Sequence, residues 1–204
     1  MKTIRVAAAG DIHAGSGEQD RVREAFKRVE EQADLVLLAG DLTQHGQVDE
    51  VCVVADACRD LAIPVVAVLG NHDWQSDRPA DLARALSEAG VVVLDRSHTV
   101  LPVQGVSVGI AGVKGFVGGF GNQWANFGEP ERLWLVLGAD RLAGPIREHR
   151  PHLVVHGHAH HGSFEGRVDD VPVYNVAVHV TGREFWVFEL SPEHAEQPLA
   201  VEEA

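Results

Sequence analysis

Apolar and polar positions follow a regular beat through the first half of the chain. Ile4–Ala9, Leu35–Ala39, Val65–Leu69 and Val91–Leu94 are short apolar runs rich in β-branched and small residues, each too short for a helix. Between them, Glu18–Ala33, Val48–Ala62 and Pro79–Ala89 read as helices. In the first of these, Val22, Phe26, Val29 and Ala33 fall on one face; Pro64 stops the second and Gly90 the third. The order β-α-β-α-β-α-β predicts a mostly parallel sheet covered by helices. In such sheets, ligands sit beyond the carboxyl ends of the strands.

The second half has a different pattern. His98–Val103 and Val106–Ala111 flank Gln104-Gly105, a hairpin signal. Val113–Gly128, Gly-rich with Phe116, Phe120, Trp124 and Phe127, is expected to be a long surface loop. Glu131–Arg150 reads as a helix and Leu153–His156 as a strand running into a histidine cluster. Val171–Val178 and Glu184–Leu190 read as a final pair of strands. Residues 1–190 carry no internal repeat and no linker, so one domain is expected, and Ser191–Ala204 is expected to be a frayed acidic tail.

Composition narrows the function. A chain of 204 residues, 45% hydrophobic and 23% charged, is long enough for a sizeable core and ordinary for a globular domain. Lys plus Arg is 17 and Asp plus Glu is 30, a formal charge of −13, which argues against broad nucleic-acid binding along a backbone. A small anionic substrate stays compatible, because a bound cation inverts the local field. Cys52 and Cys58, six apart in a helix, are expected to be free thiols in or near the core. The opening MKTIRVAAAGDIH lacks the apolar run and cleavage site of a secretory leader, and no stretch approaches the ~20 apolar residues of a membrane span. A cytoplasmic location without membrane attachment is the expectation.

Four short motifs sit just past apolar runs: GDIH (10–13), GDLTQ (40–44), GNHDW (70–74) and HGHAH (156–160). Asp11 and His13 are two apart, as are His158 and His160. On an extended segment that spacing points both side chains to one side. One centre can then be gripped by both members of a pair, or two neighbouring centres can each take one. Mixed Asp, Asn and His donors suit Mn²⁺, Fe or Zn²⁺.

These residues resemble the calcineurin-like metallophosphoesterases, whose pattern runs D-x-H, G-D, G-N-H-D/E, a lone His, then G-H-x-H. Four of those five blocks stand here in order across residues 10–160. The resemblance implies a layered α/β/β/α sandwich and hydrolysis of phosphate mono- or diesters by two divalent ions with a metal-activated water. It implies that Asp11, His13 and His160 hold the first ion, Asp41 bridges both, and Asn71 and His158 hold the second. His72 would act on the leaving oxygen as proton donor or charge stabiliser, with Asp73 orienting it. The implied partner is a small phosphate ester, nucleotides among them; Phe120 and Trp124 could stack on a base, though loop packing is the plainer role.

The fourth block has no match. Between Trp74 and His156 the histidines are His98, His149 and His152, and none follows an apolar strand at the expected place. The fold is therefore expected to lack one strand and one helix there, with a weakened second metal site. Two substitutes present themselves: Leu133–Leu137 as a strand delivering Asp140, or a contribution from His156 or a partner subunit. A degenerate, non-catalytic member that binds metal or a partner is the competing reading. His45 and His161 are expected to play no ligand role, and for His156 a structural role is favoured over that substitute role. Metallo-β-lactamase-like and amidohydrolase folds are disfavoured, because the cluster lacks the H-x-H-x-D-H acid and no H-x-H opens the chain.

Overall fold

The structure, a computed structural model, describes residues 3–114, 143–160, 163–191 and 199–200. Strands β1 (Ile4–Ala9), β2 (Leu35–Ala39), β3 (Val65–Val68) and β4 (Val92–Val93) pair in parallel, as the apolar runs predict. Helices α1 (Gln19–Gln32), α2 (Val48–Arg59) and α3 (Pro79–Glu88) connect them. Alternation along each strand feeds two cores. Ala7 and Ala9, Val36 and Leu38, and Val65 and Ala67 face the helices, where they meet Val22, Phe26 and Val29 of α1, Val51 and Val54 of α2, and Leu82 and Leu86 of α3. Val6, Leu35 and Val66 face the other way. Burial on both faces is why these strands read as unbroken apolar runs rather than alternating ones.

The opposite face is covered by a second β layer. Part of it is the hairpin of β5 (Ser97–Val103) and β6 (Val106–Gly112), whose Leu101, Val103, Val106, Val108 and Ile110 pack over Val6, Leu35 and Val66. Its two-residue turn places Gln104 at φ 50° and Gly105 at φ 81°, the left-handed pair that matches strand twist. The rest is a three-stranded sheet ordered β7 (Val154–His156), β9 (Val171–Asn175), β8 (Glu165–Val168). It packs Tyr174 and Val155 against Ala8 and Phe188. Helical residues 143–149 (α4) are tied to the β8–β9 turn by the Arg147–Asp169 and Arg150–Asp170 ion pairs. The fold is thus α/β, with the helices of the first half on one face of the main sheet and β layers on the other.

Three expectations need correction. Val171–Val178 and Glu184–Leu190 do not pair with each other. β9 lies between β7 and β8, whereas β10 (Trp186–Leu190) runs antiparallel to β1 in the main sheet. Between them, Val178–Thr181 turns into the short helix α5. Cys52 is exposed and only Cys58 is buried, because six residues of helix rotate the two thiols about 120° apart. Part of the tail is not free, since Leu199–Ala200 forms β11 against β10. The expected aromatic loop, the Leu133–Leu137 strand with Asp140, the missing fourth-block segment and His161 lie outside the described residues.

Candidate metal centre

The four motifs meet at the carboxyl ends of β1, β2, β3 and β7. Backbone bonds stitch their turns together: Asp11 N–H donates to the Gly40 carbonyl at 3.0 Å, and His13 N–H to the Asp41 carbonyl at 3.0 Å. Asp11, His13, Asp41 and His158 all adopt positive φ, at 56°, 46°, 52° and 71°. The premise of an extended D-x-H segment therefore fails. Tight left-handed turns, rather than strand alternation, aim these side chains, and such backbone costs about 1–3 kcal/mol per residue. Four of the nine described non-glycine residues with positive φ gather at these strand ends, the kind of concentration expected of a functional site.

Asp11 is 1% exposed and its two oxygens have separate duties. Oδ2 accepts the His158 N–H at 2.6 Å, and Oδ1 lies 2.8 Å from His160 Nε2 and 3.8 Å from His13 Nε2. Asn71 Oδ1 lies 2.8 Å from His158 Nδ1. The two histidines of G-H-A-H thus part company, His160 toward Asp11 and His158 toward Asn71. Asp41, 3% exposed, accepts the His72 N–H on Oδ1 at 2.7 Å. Its carboxylate lies within 4.8 Å of donor nitrogens of both His13 and His72. All six residues expected as metal ligands are therefore brought to one place.

Asp73 directs its oxygens to the neighbouring turns. Fully buried, it accepts from the N–H groups of Leu42 (3.2 Å), Thr43 (2.8 Å) and Gly70 (2.8 Å), and from Thr43 Oγ1 at 2.6 Å. It clamps the β2 and β3 loops together and has no bond to the His72 ring. That ring is oriented instead by the Gln44 carbonyl, 2.8 Å from Nδ1. His45 Nδ1 pairs with Glu50 at 3.0 Å, and His156 Nδ1 lies 2.9 Å from the Gly157 carbonyl.

Two residues were not foreseen. Asn175, 2% exposed, donates to the Ala159 carbonyl at 2.6 Å and accepts the Ala177 N–H at 3.2 Å, bracing the histidine turn. His179, on α5, lies with its ring centroid 4.7 Å from that of His160 and 5.6 Å from that of His13. The sequence holds one sign of His179: it follows an apolar run, Val171–Val178, as Asp11, Asp41 and Asn71 follow theirs.

The donor set fits divalent cations. Burial, then the nearby His72, lowers the His13 imidazole to about 4, so the ring is neutral at physiological pH and its approach to Asp11 is no ion pair. His13 Nε2 is buried without a hydrogen-bond partner. A desolvated ring nitrogen without a partner is costly unless a ligand meets it. Burial, reinforced by Asp11 and Asp73, raises the Asp41 carboxyl to about 6.

That shift fixes a sign. A carboxyl whose folded value lies above its ordinary 3.8 stabilises the fold relative to its charged form below that value, and the benefit is lost as pH rises through about 6. Metal-free Asp41→Asn protein is therefore expected to be more stable than metal-free wild type above pH 6, by up to about 3 kcal/mol. Denaturant titrations across pH should show the gap closing toward pH 4. A constant gap would contradict the assignment of the shift to Asp41.

A sequence model described as calcineurin-like phosphoesterase matches residues 4–182. No curated protein matches the chain. Among solved structures, a protein of Thermus thermophilus is 16% identical with a TM-score of 0.61, covering 98% of this chain and 100% of its own. GAP50, the anchor in the inner membrane complex of Plasmodium, is 13% identical with a TM-score of 0.60, over 99% of this chain and 86% of its own. The phosphopantetheinyl hydrolase of Mycobacterium tuberculosis is 16% identical with a TM-score of 0.59, over 94% and 98%. At these identities the likenesses show the fold.

Proposed function

The chain belongs to the calcineurin-like phosphoesterase family, and from that membership we propose that it hydrolyses phosphate mono- or diesters at a two-metal site. Asp11, His13, Asp41 and His160 would hold one ion; Asp41, Asn71 and His158 would hold the other. The observation that carries this reading is the partnerless, buried Nε2 of a neutral His13 set between two buried carboxylates. Two divalent ions, Mn²⁺, Fe or Zn²⁺, would supply a water of lowered pKa and offset charge on the phosphoryl oxygens.

The residues around them supply position. The His158 N–H occupies Asp11 Oδ2 and leaves Oδ1 facing the two imidazoles. The Gln44 carbonyl can only accept, so His72 Nδ1 keeps its proton in either charge state. Nε2 is then the ring atom left to face a leaving alkoxide. Changing His72 to Gln is expected to leave bound metal unchanged and to lower kcat about 10²–10⁴-fold. Metal analysis beside steady-state kinetics checks both halves, and lost metal would reassign His72 as a ligand.

The activity itself is tested with p-nitrophenyl phosphate and bis(p-nitrophenyl) phosphate in the presence of Mn²⁺ or Zn²⁺, with Asp41→Asn as blank. Faster cleavage of the bis ester marks a diesterase, of the mono ester a phosphatase. Equal rates in wild type and blank, with metal bound, would defeat the enzyme reading. One observation favours the alternative, a metal-binding or interacting member without catalysis: among the described residues the second ion finds only Asp41, Asn71 and His158. The fold is also that of the Plasmodium anchor. Stoichiometry separates the two readings, since two ions per chain support the hydrolase.

A further inference from the structure

We infer that His179 is an additional ligand of the first ion, making that site a three-histidine centre and setting it apart in affinity from the second. The inference rests on the metal reading above and extends it to a residue outside the four motifs. Its basis is placement. The rings of His13, His160 and His179 form a triangle with centroids 5.5, 5.6 and 4.7 Å apart, and a donor nitrogen of each lies within 4.8 Å of the others. Ligands around one ion at about 2.1 Å stand roughly 3.0 Å apart when adjacent and 4.2 Å when opposite. A side-chain rotation of His179, which is exposed, closes the difference.

The backbone keeps His179 in range. Val178 N–H donates to the Gly10 carbonyl at 3.0 Å, and Ala177 bridges Gly10, the residue before Asp11. The exit of β9 is thereby sewn to the exit of β1, one residue from His179. The turn is closed by Gly182 at φ 64°, whose N–H donates to the Val178 carbonyl at 2.8 Å. His179 lies on the side of His13 and His160, so it does not replace the histidine missing from the second set. It adds to the first. Three imidazoles with two carboxylates favour Zn²⁺ or Fe over Mg²⁺. The outcome is a resident first ion and an exchangeable second one, with hydrolysis dependent on added metal.

The test uses the metal-stripped full chain and Zn²⁺ titrations against a chromophoric chelator, with Co²⁺ absorption as a second readout. Wild type should show one tight and one weak equivalent. His179→Ala should weaken the tight equivalent by more than the roughly 10–100-fold that loss of an outer-shell partner costs, leave the weak one in place and change the Co²⁺ spectrum. His98→Ala, an exposed hairpin histidine, should change nothing. Unchanged affinity and spectrum in His179→Ala overturn the inference. So does a loss of affinity matched by a lower melting temperature of the metal-free variant, which would assign His179 to holding α5. Asp41→Asn separates the layers. If it impairs binding while His179→Ala does not, only the role of His179 falls; if wild type binds no metal, the proposed function falls with it.

Discussion

Asp41→Asn protein is expected to lose hydrolysis by about 10³-fold or more, the scale of several kcal/mol of transition-state charge stabilisation. Asp41 lies beside His13 on one side, and on the other its Oδ1 accepts the His72 N–H from the Asn71–His72 turn. It is therefore the group that can serve both ligand sets. Asparagine keeps an oxygen for the His72 N–H, so the loop geometry survives the change. What disappears is a negative charge that two cations would share. Bound metal should fall from two ions to one, because the second set is left with Asn71 and His158. The same variant should be the more stable protein without metal above pH 6, since burial penalises the charged carboxyl. Wild-type stability should overtake it once metal is added. A variant that keeps two ions and normal turnover would remove Asp41 from the centre.

The elements of the first half were legible because β1–β4 are buried on both faces and α1–α3 on one, which writes period and length directly into the sequence. The second half was harder for physical reasons. β8, Glu165–Val168, is exposed along most of its length and carries a single apolar side chain, so nothing in its composition marks a strand. β9 and β10 look alike as apolar runs, yet one pairs with β7 and the other with β1, at the opposite end of the chain. Apolar pattern fixes which residues are buried, not against which distant strand. The candidate ligands stand out from motif order, since each motif follows directly on an apolar run. How they converge does not. Positive φ at Asp11, His13, Asp41 and His158 is only weakly written in residue type, because aspartate and histidine adopt it more often than other side chains yet still in a small minority of cases. His179 escaped because a lone histidine after an apolar run carries no motif.

The remaining large effect concerns the glycines that precede the ligands. A Cβ on Gly70 would lie 2.1 Å from Asp41 Oδ1 and 2.3 Å from the Asp41 backbone nitrogen. A Cβ on Gly157 would lie 2.3 Å from Asp11 Oδ2, the oxygen that accepts the His158 N–H. These glycines belong to the motifs because neighbouring strand ends must approach closely enough for carboxylates on one to meet nitrogens on the next. Gly70→Ala meets backbone that cannot swing aside, so it should destabilise the fold by about 3 kcal/mol or more. Gly157→Ala meets chiefly a side chain that can move only by giving up its bond to His158, with the Ala39 carbonyl tight at 3.0 Å. It should cost less stability, yet strip the first ion. Gly109→Ala on β6, where nothing lies within 4 Å, is the control and should leave both properties intact. Melting temperatures and metal content of the three variants check the ranking. If Gly70→Ala melts with wild type and keeps its metal, the close packing of strand ends is not what builds the centre.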